Sequence, residues 1–545
     1  MHQFADIVYK SGKIYTVEPE QSWATCVAIL NGRFIFVGED DEVTPLVGPN
    51  TQIVDLNQQM VMPGLHDMHI HGLLGAIGRL FECQFPMMAT VDEIVTAVSR
   101  FATQNPHAPV IVGGSFHMSL TQQLNKAQLD LVCPARPVFL WDASLHNAWC
   151  NSKMLEMAGI TYETSDPVNG TFVKDDNGQL TGLLLETAAS AVYKCIPERA
   201  ADEYAQAVDW LTKMLHSHGV TSIKEAAVNR AIAQAYKTAD QTNKLKLRVG
   251  LHFLWRTPFI YDPEDLEPLL KDRQQFAGKR VKVNFLKLFL DGVPVAKTAC
   301  MLDPYLGDDP ETHDPYELLL VDREELKEIL IQFDREGLIV KMHATGDASL
   351  RAALDAIEAA RLANGDSGLG HEIAHPQNAH PNDLPRFAQL GAVPDLCPKL
   401  WHPSRGKDGA LLPLVGKARL DKSWPIGSYH RSGARMIAGA DWPAMSPTFN
   451  HWLGIQTLIT RRDPEGHIQE PLGQNEAIDL PTALEIFTIN GAKAARHDDV
   501  CGSIAVGKYA DMIILDRNLF EIPADEIGET RVVKTIFEGE VVFDS

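Results

Sequence analysis

Along this chain, short apolar runs repeatedly stop at a polar residue and give way to amphipathic stretches. Leu338-Ile339-Val340-Lys341-Met342 ends at His343, followed by Ala344-Thr345-Gly346-Asp347. Gly370-His371-Glu372-Ile373-Ala374 steps to His375, Arg435 through Ala440 leads to Asp441 and then Trp442-Pro443, and Val283-Asn284-Phe285-Leu286 leads to Lys287. Between most of these runs lie stretches that read as helices, Tyr204 to His218 among them. A strand ending in a polar residue, then a helix, then the same again predicts an α/β fold, a (β/α)8 TIM-like barrel whose chemistry sits at the C-terminal ends of its strands.

The densest polar cluster follows the apolar run Met60-Val61-Met62 and a Pro63-Gly64 turn: Leu65-His66-Asp67-Met68-His69-Ile70-His71-Gly72. Residues i and i+2 of a strand share a face. His69 and His71 can therefore direct two imidazole nitrogens at one point, the way a pair of ligands for zinc or another first-row divalent ion is built. Asp67 lies on the same face. By itself such a pair is more often two surface histidines beside a turn, and the recurrence of ligating residues at later strand ends is what favours a metal.

The ends of the chain read differently. Residues 4–62 hold short β-rich runs, with Asn31-Gly32 as a hairpin signal. Ala510 to Asp516, Val532 to Phe537 and Glu538 to Phe543 are alike. Neither end is long enough for a comfortable core of its own, so joining them is the economical solution. The expected organisation is a composite β-sandwich from 1–62 and 495–545 beside a barrel domain over 63–494.

The set His69-x-His71, Lys287, His343, His375 and Asp441 resembles the amidohydrolase superfamily. The words Asp142-Ala143-Ser144-Leu145-His146-Asn147-Ala148-Trp149-Cys150-Asn151-Ser152, Leu286-Lys287-Leu288-Phe289-Leu290-Asp291-Gly292, His343-Ala344-Thr345-Gly346-Asp347 and Gly439-Ala440-Asp441-Trp442-Pro443 resemble its amidohydrolase family 3, or YtcJ-like, branch, which includes N-substituted formamide deformylases. The resemblance implies the barrel, the composite sandwich and two divalent ions, zinc by default. It places a carboxylated lysine at the end of strand four, matched by Lys287, as a bridge between the ions. A bare ammonium has no lone pair to offer a metal, whereas a carbamate has two oxygens. A Lys287 ammonium paired with Asp291 or another acid is the alternative. His343 and His375 would complete the metal site, with His371 competing for the place of His375. Ala374 stands where the family commonly has Glu. Asp441 would ligate and act as general base and acid, unless it caps a helix. His146 and Trp442 are the candidate substrate contacts, with His117, His252 and His402 weaker ones, and His66 should face away from His69.

If Lys287 ends strand four, then Val220 to Ile223 and Arg248 to Phe253 are strands two and three. Val110 to Gly113 and Val138 to Trp141 then fall in an insertion of about 75–205 that could wall the pocket. Strand seven is expected near Ala392-Val393-Pro394.

Composition narrows the function classes. Net charge is −22 over 545 residues, which argues against a nucleic-acid partner. No apolar run approaches the ~20 residues of a membrane span, and no signal-peptide pattern opens the chain. The eight cysteines are scattered without a Cys-x-x-Cys pair, so reduced thiols, a cytoplasmic location and no thiolate zinc site are expected. The partner is a small-molecule substrate, and a homo-oligomer is compatible with the sequence. The expected activity is hydrolysis of a non-peptide C–N bond, a linear or N-substituted amide, by metal-activated water. Ester, cyclic-amide or deaminating hydrolysis on the same site is the alternative reading, and a binding or regulatory protein that keeps the fold is a further one.

Overall fold

The computed structural model describes residues 4–255, 263–401, 411–444, 448–468 and 470–545. Its centre is an eight-stranded parallel sheet curled into a nearly closed barrel. In chain order its strands are Leu65–Ile70, Val220–Val228, Arg248–Leu254, Val281–Phe289, Ile339–His343, Glu372–Ala374, Val393–Leu396 and Ile437–Ala438. Each pairs in parallel with the next. The strand counting read from the sequence matches these positions, strand seven included.

The strands form where β-branched and aromatic residues cluster, and the helices between them cover the barrel with one apolar stripe each. Asp347–Asn364, for example, buries Leu350, Ala353, Leu354 and Ile357, the spacing of one helical face. The register pairs Phe289 with His343 and His343 with Ala374, which brings the ends of strands four, five and six side by side.

Strand eight reaches strand one through the backbone just beyond it. Asp441 N–H donates to the His69 carbonyl at 2.7 Å, and His71 N–H donates to the Trp442 carbonyl at 2.9 Å. This seam is tight at Gly439, where a Cβ would stand 2.3 Å from the His69 nitrogen. Only glycine fits so close an approach of two backbones.

Both chain ends contribute to one six-stranded sheet, ordered Glu540–Asp544, Val532–Phe537, Met512–Leu515, Met60–Pro63, Lys13–Tyr15, Trp23–Ala24. The junction is antiparallel, with Met512 opposite Pro63 and Ile514 opposite Val61. A four-stranded sheet of N-terminal strands packs on it through a shared core that includes Tyr9, Val27, Phe34, Val61, Met512 and Ile536. Between barrel strands one and two, Cys83 to Glu186 carries a separate six-stranded sheet. Val138–Asp142 is one of its central strands. Among the described residues, no helix is long and apolar enough to cross a membrane.

Candidate active site

The closing seam puts Asp441 beside the two histidines of strand one. His71 Nε2 lies 3.4 Å and His69 Nε2 3.6 Å from Asp441 Oδ1, and His375 Nε2 lies 3.9 Å from Oδ2. The rings of His69 and His375 are 4.7 Å apart and those of His375 and His343 are 4.9 Å apart. Lys287 Nζ is 3.5 Å from His69 Nε2. The six residues read from the sequence as the site thus meet at one end of the barrel. His375 (φ 59°) and Asp441 (φ 54°) both sit in the left-handed region, a backbone cost that tends to gather at functional sites.

The cluster is chemically suited to a cation. Two donors each ~2.0 Å from a tetrahedral zinc ion stand roughly 3.3 Å apart, close to the His71–Asp441 and His69–Asp441 separations. Burial holds the pKa values of His69, His343 and His375 well below the ordinary histidine range, so these rings are neutral and keep a lone pair. In the hydrogen-bond network, His69 directs Nδ1 to Asp395 Oδ2 at 2.7 Å, which leaves Nε2 facing the cluster. His343 directs Nε2 to the Gly292 carbonyl at 3.1 Å, which leaves Nδ1. Buried His375 Nδ1 has no hydrogen-bond partner among the described residues. These donors fit a divalent ion. Burial, and then the charge of Lys341, push the Lys287 ammonium down to about 8.

Two partners read from the sequence are placed differently among the described residues. Asp291 does not pair with Lys287. It accepts from the backbone N–H groups of Thr345, Gly346 and Cys300 and from the Ser349 hydroxyl. Among the described residues Asp441 caps no helix: the next described one, His451–Thr460, begins at the N-cap Asn450. His371 also lies elsewhere: its Nε2 is 3.0 Å from Asp334 and its Nδ1 accepts from Val340 N–H.

His146 sits in a loop of the inserted sheet that is braced by Asp142, which accepts from Ser144 and from the Asn147 side chain. Its Nδ1 is 2.9 Å from Glu186 Oε2. Burial works against a charge on this ring, but Glu186, Asp142 and Asp441 outweigh it and raise the His146 pKa. Trp442 is buried. Its ring is 3% exposed, packs on Gly75 and stacks on Trp210 at 6.2 Å. His117 bonds Ser119 in an outlying loop. His252 lies 3.5 Å from Glu372 within the barrel. His66 faces Cys501, 3.6 Å from its Sγ. His402 lies outside the described residues.

Strand seven supplies what the sequence reading missed. His69, His375 and the buried Cys397 offer donor atoms within 4.8 Å of one another, so a thiol stands beside the cluster where none was expected. Asp395, two residues earlier on the same face, backs His69. An even spacing of polar residues at the end of strand seven was the available signal.

The sequence profile of the amidohydrolase family matches residues 52–543. The chain is 28% identical over 552 residues to the protein LONG AFTER FAR-RED 3 of Arabidopsis thaliana, covering 99% of this chain and 92% of that one. It is 27% identical over 572 residues to the N-substituted formamide deformylase of Arthrobacter pascens, covering 100% and 99%. The crystal structure of an uncharacterized metal-dependent hydrolase from Pyrococcus horikoshii OT3 superposes with a TM-score of 0.75 at 24% identity, over 95% of this chain and 99% of that one, and shares the fold.

Proposed function

The chain belongs to the amidohydrolase family, and we propose that this metal-dependent hydrolase acts on a linear or N-substituted amide, releasing an amine and an acid. The observation that carries the reading is the meeting of His69, His71 and His375 nitrogens with the Asp441 carboxylate at 3.4–3.9 Å. The full-length similarity to a protein named N-substituted formamide deformylase supports the bond class.

His69, His71, His343, His375 and Asp441, with Lys287 as its carbamate, would hold a pair of divalent ions, zinc by default. When bound, such ions lower the pKa of water toward ~7 and polarise a carbonyl oxygen. Lys287 would form its carbamate when the neutral amine adds to CO2 and releases a proton. A pKa of about 8 leaves a larger neutral fraction at pH 7 than an ordinary lysine has. Asp441 accepts the proton of the attacking water at its carboxylate and returns it to the leaving nitrogen. His146, steadied by Glu186, is the contact proposed for the substrate.

The test couples elemental analysis to turnover. Protein prepared with zinc, manganese or cobalt should carry the ion, release amine from N-formyl or N-acyl amines, lose that activity to a chelator and regain it with metal. A metallated protein that spares every amide and cleaves the matching esters would overturn the bond assignment.

A further inference from the structure

The barrel interior next to the site holds a chain of ionic side chains where Val, Ile and Leu usually dominate. Lys224 of strand two pairs with Glu372 of strand six. Because these strands are far apart in the sheet order, the pair crosses the interior. Glu372 Oε2 lies 3.2 Å from Lys341 Nζ. Lys341 Nζ donates to Asp395 Oδ2 at 2.6 Å and to the Met68 carbonyl at 2.6 Å. The same Asp395 oxygen meets His69 Nδ1 at 2.7 Å. His69, Lys224, Lys341, Glu372 and Asp395 are all 0% exposed.

The set is neutral as a whole, with two ammonium groups and two carboxylates. Pairing removes most of the penalty for burying ions, yet apolar residues of similar volume would often fold as well. Stability therefore gives a poor account of why the chain keeps them. Their geometry gives a better one. One oxygen of Asp395 serves both His69 and Lys341, and the other is buried without a partner among the described residues, so the carboxylate is aimed at these two donors. The Lys341 ammonium grips that carboxylate and also the backbone of Met68, the residue before His69.

We propose that Asp395 and Lys341 are positioning residues of the metal centre. Asp395 fixes the ring of His69 with its proton on Nδ1 and its Nε2 lone pair toward the cluster, and Lys341 fixes Asp395. The inference rests on the metal-centre reading of the site. It explains why strand seven, which supplies none of the six clustered residues, carries a buried carboxylate. A carboxylate behind a ligating imidazole sets its tautomer and orientation and raises its basicity, and losing such a partner costs roughly 10–100-fold in metal affinity.

The deciding variant is the double substitution Lys341→Met/Asp395→Leu. It removes one charge of each sign and leaves Lys224 and Glu372 paired. Zinc affinity, measured by competition with a chromophoric chelator, is read beside the thermal melt of the metal-free proteins. The double variant should melt cooperatively like the wild type and bind zinc roughly 10–100-fold more weakly. Wild-type affinity in a folded double variant overturns the proposal. Should that variant not fold, Asp395→Asn, which keeps the shape and drops the charge, decides instead: weakened zinc binding with an intact melt supports the proposal, and unchanged binding overturns it. A wild-type chain without affinity for divalent ions overturns the metal-centre reading and this inference together, a result distinct from either variant outcome.

Discussion

Asp441 and Lys287 ask for different experiments although they share one cluster. If Asp441 mainly moves protons, Asp441→Asn should keep much of the metal while kcat falls by roughly 10²-fold or more. Metal content measured on the same sample separates this from loss of an ion, and wild-type turnover in the metallated variant would remove the proton-transfer role. Lys287→Ala should instead lose metal and activity together, with partial recovery of both on adding short carboxylic acids, which replace the carbamate oxygens. Retention of full metal by Lys287→Ala would end the bridging role. The positions of both residues were legible because each follows an apolar run and sits in a word that resembles the family's, although strand four runs on past Lys287 to Phe289. Asp395 was passed over because the reading of strand seven stopped at Pro394, one residue short of it. Cys397 was passed over because isolated cysteines carry no ligand spacing. The burial of Trp442 was not legible, because its neighbour Asp441 faces the cluster, whereas its own ring packs on Gly75.

The elements that hold the site are short, and their joins matter more than their lengths. Strand eight spans Ile437–Ala438 alone, so the seam at Gly439 bears much of the closure. Gly439→Ala should push strands one and eight apart, lower the melting temperature by the equivalent of about 1–3 kcal/mol, the usual cost of overpacking, and weaken metal binding. An unchanged melt would show that the seam yields. Glu225 of strand two offers a pH test. It accepts from the Tyr236 hydroxyl at 2.6 Å and from Leu73 N–H at 3.2 Å, in the first turn of the helix after His71. Burial raises its pKa to about 8, against about 4.3 for a free glutamate. A raised carboxyl pKa favours the fold below the unfolded value, and that advantage is lost as pH rises through 8. Relative to Glu225→Gln, the wild type should therefore lose stability steadily from pH 5 to pH 8 in denaturant titrations, and a constant gap would contradict the shift. At this scale the barrel was readable from its repeating pattern, and so was strand Val138–Asp142 of the insertion. Ala148–Cys150, Gly170–Lys174 and Leu180–Glu186 were not, because short strands bounded by Asn, Asp and Gly look like loops until a neighbour pairs with them.

For the whole molecule, the pairing of its two ends is the most consequential feature. Cutting the chain after Asp511 would spare every residue of the site and remove three strands of the six-stranded sheet, leaving Met60–Pro63 with a bare edge. Such an edge invites association with other chains. The truncated protein should accumulate in the insoluble fraction, and a soluble, metal-binding product would show that the sheet is dispensable. The same pairing sets a timetable for synthesis. Val61 emerges from the ribosome roughly 450 residues before its partner Ile514, a wait of roughly 20–90 s at ordinary elongation rates. Through that interval the nascent polypeptide carries an unsatisfied strand leading directly into the histidines of strand one. A chaperone that shields the growing chain until its tail arrives would be the natural guardian of the enzyme's yield.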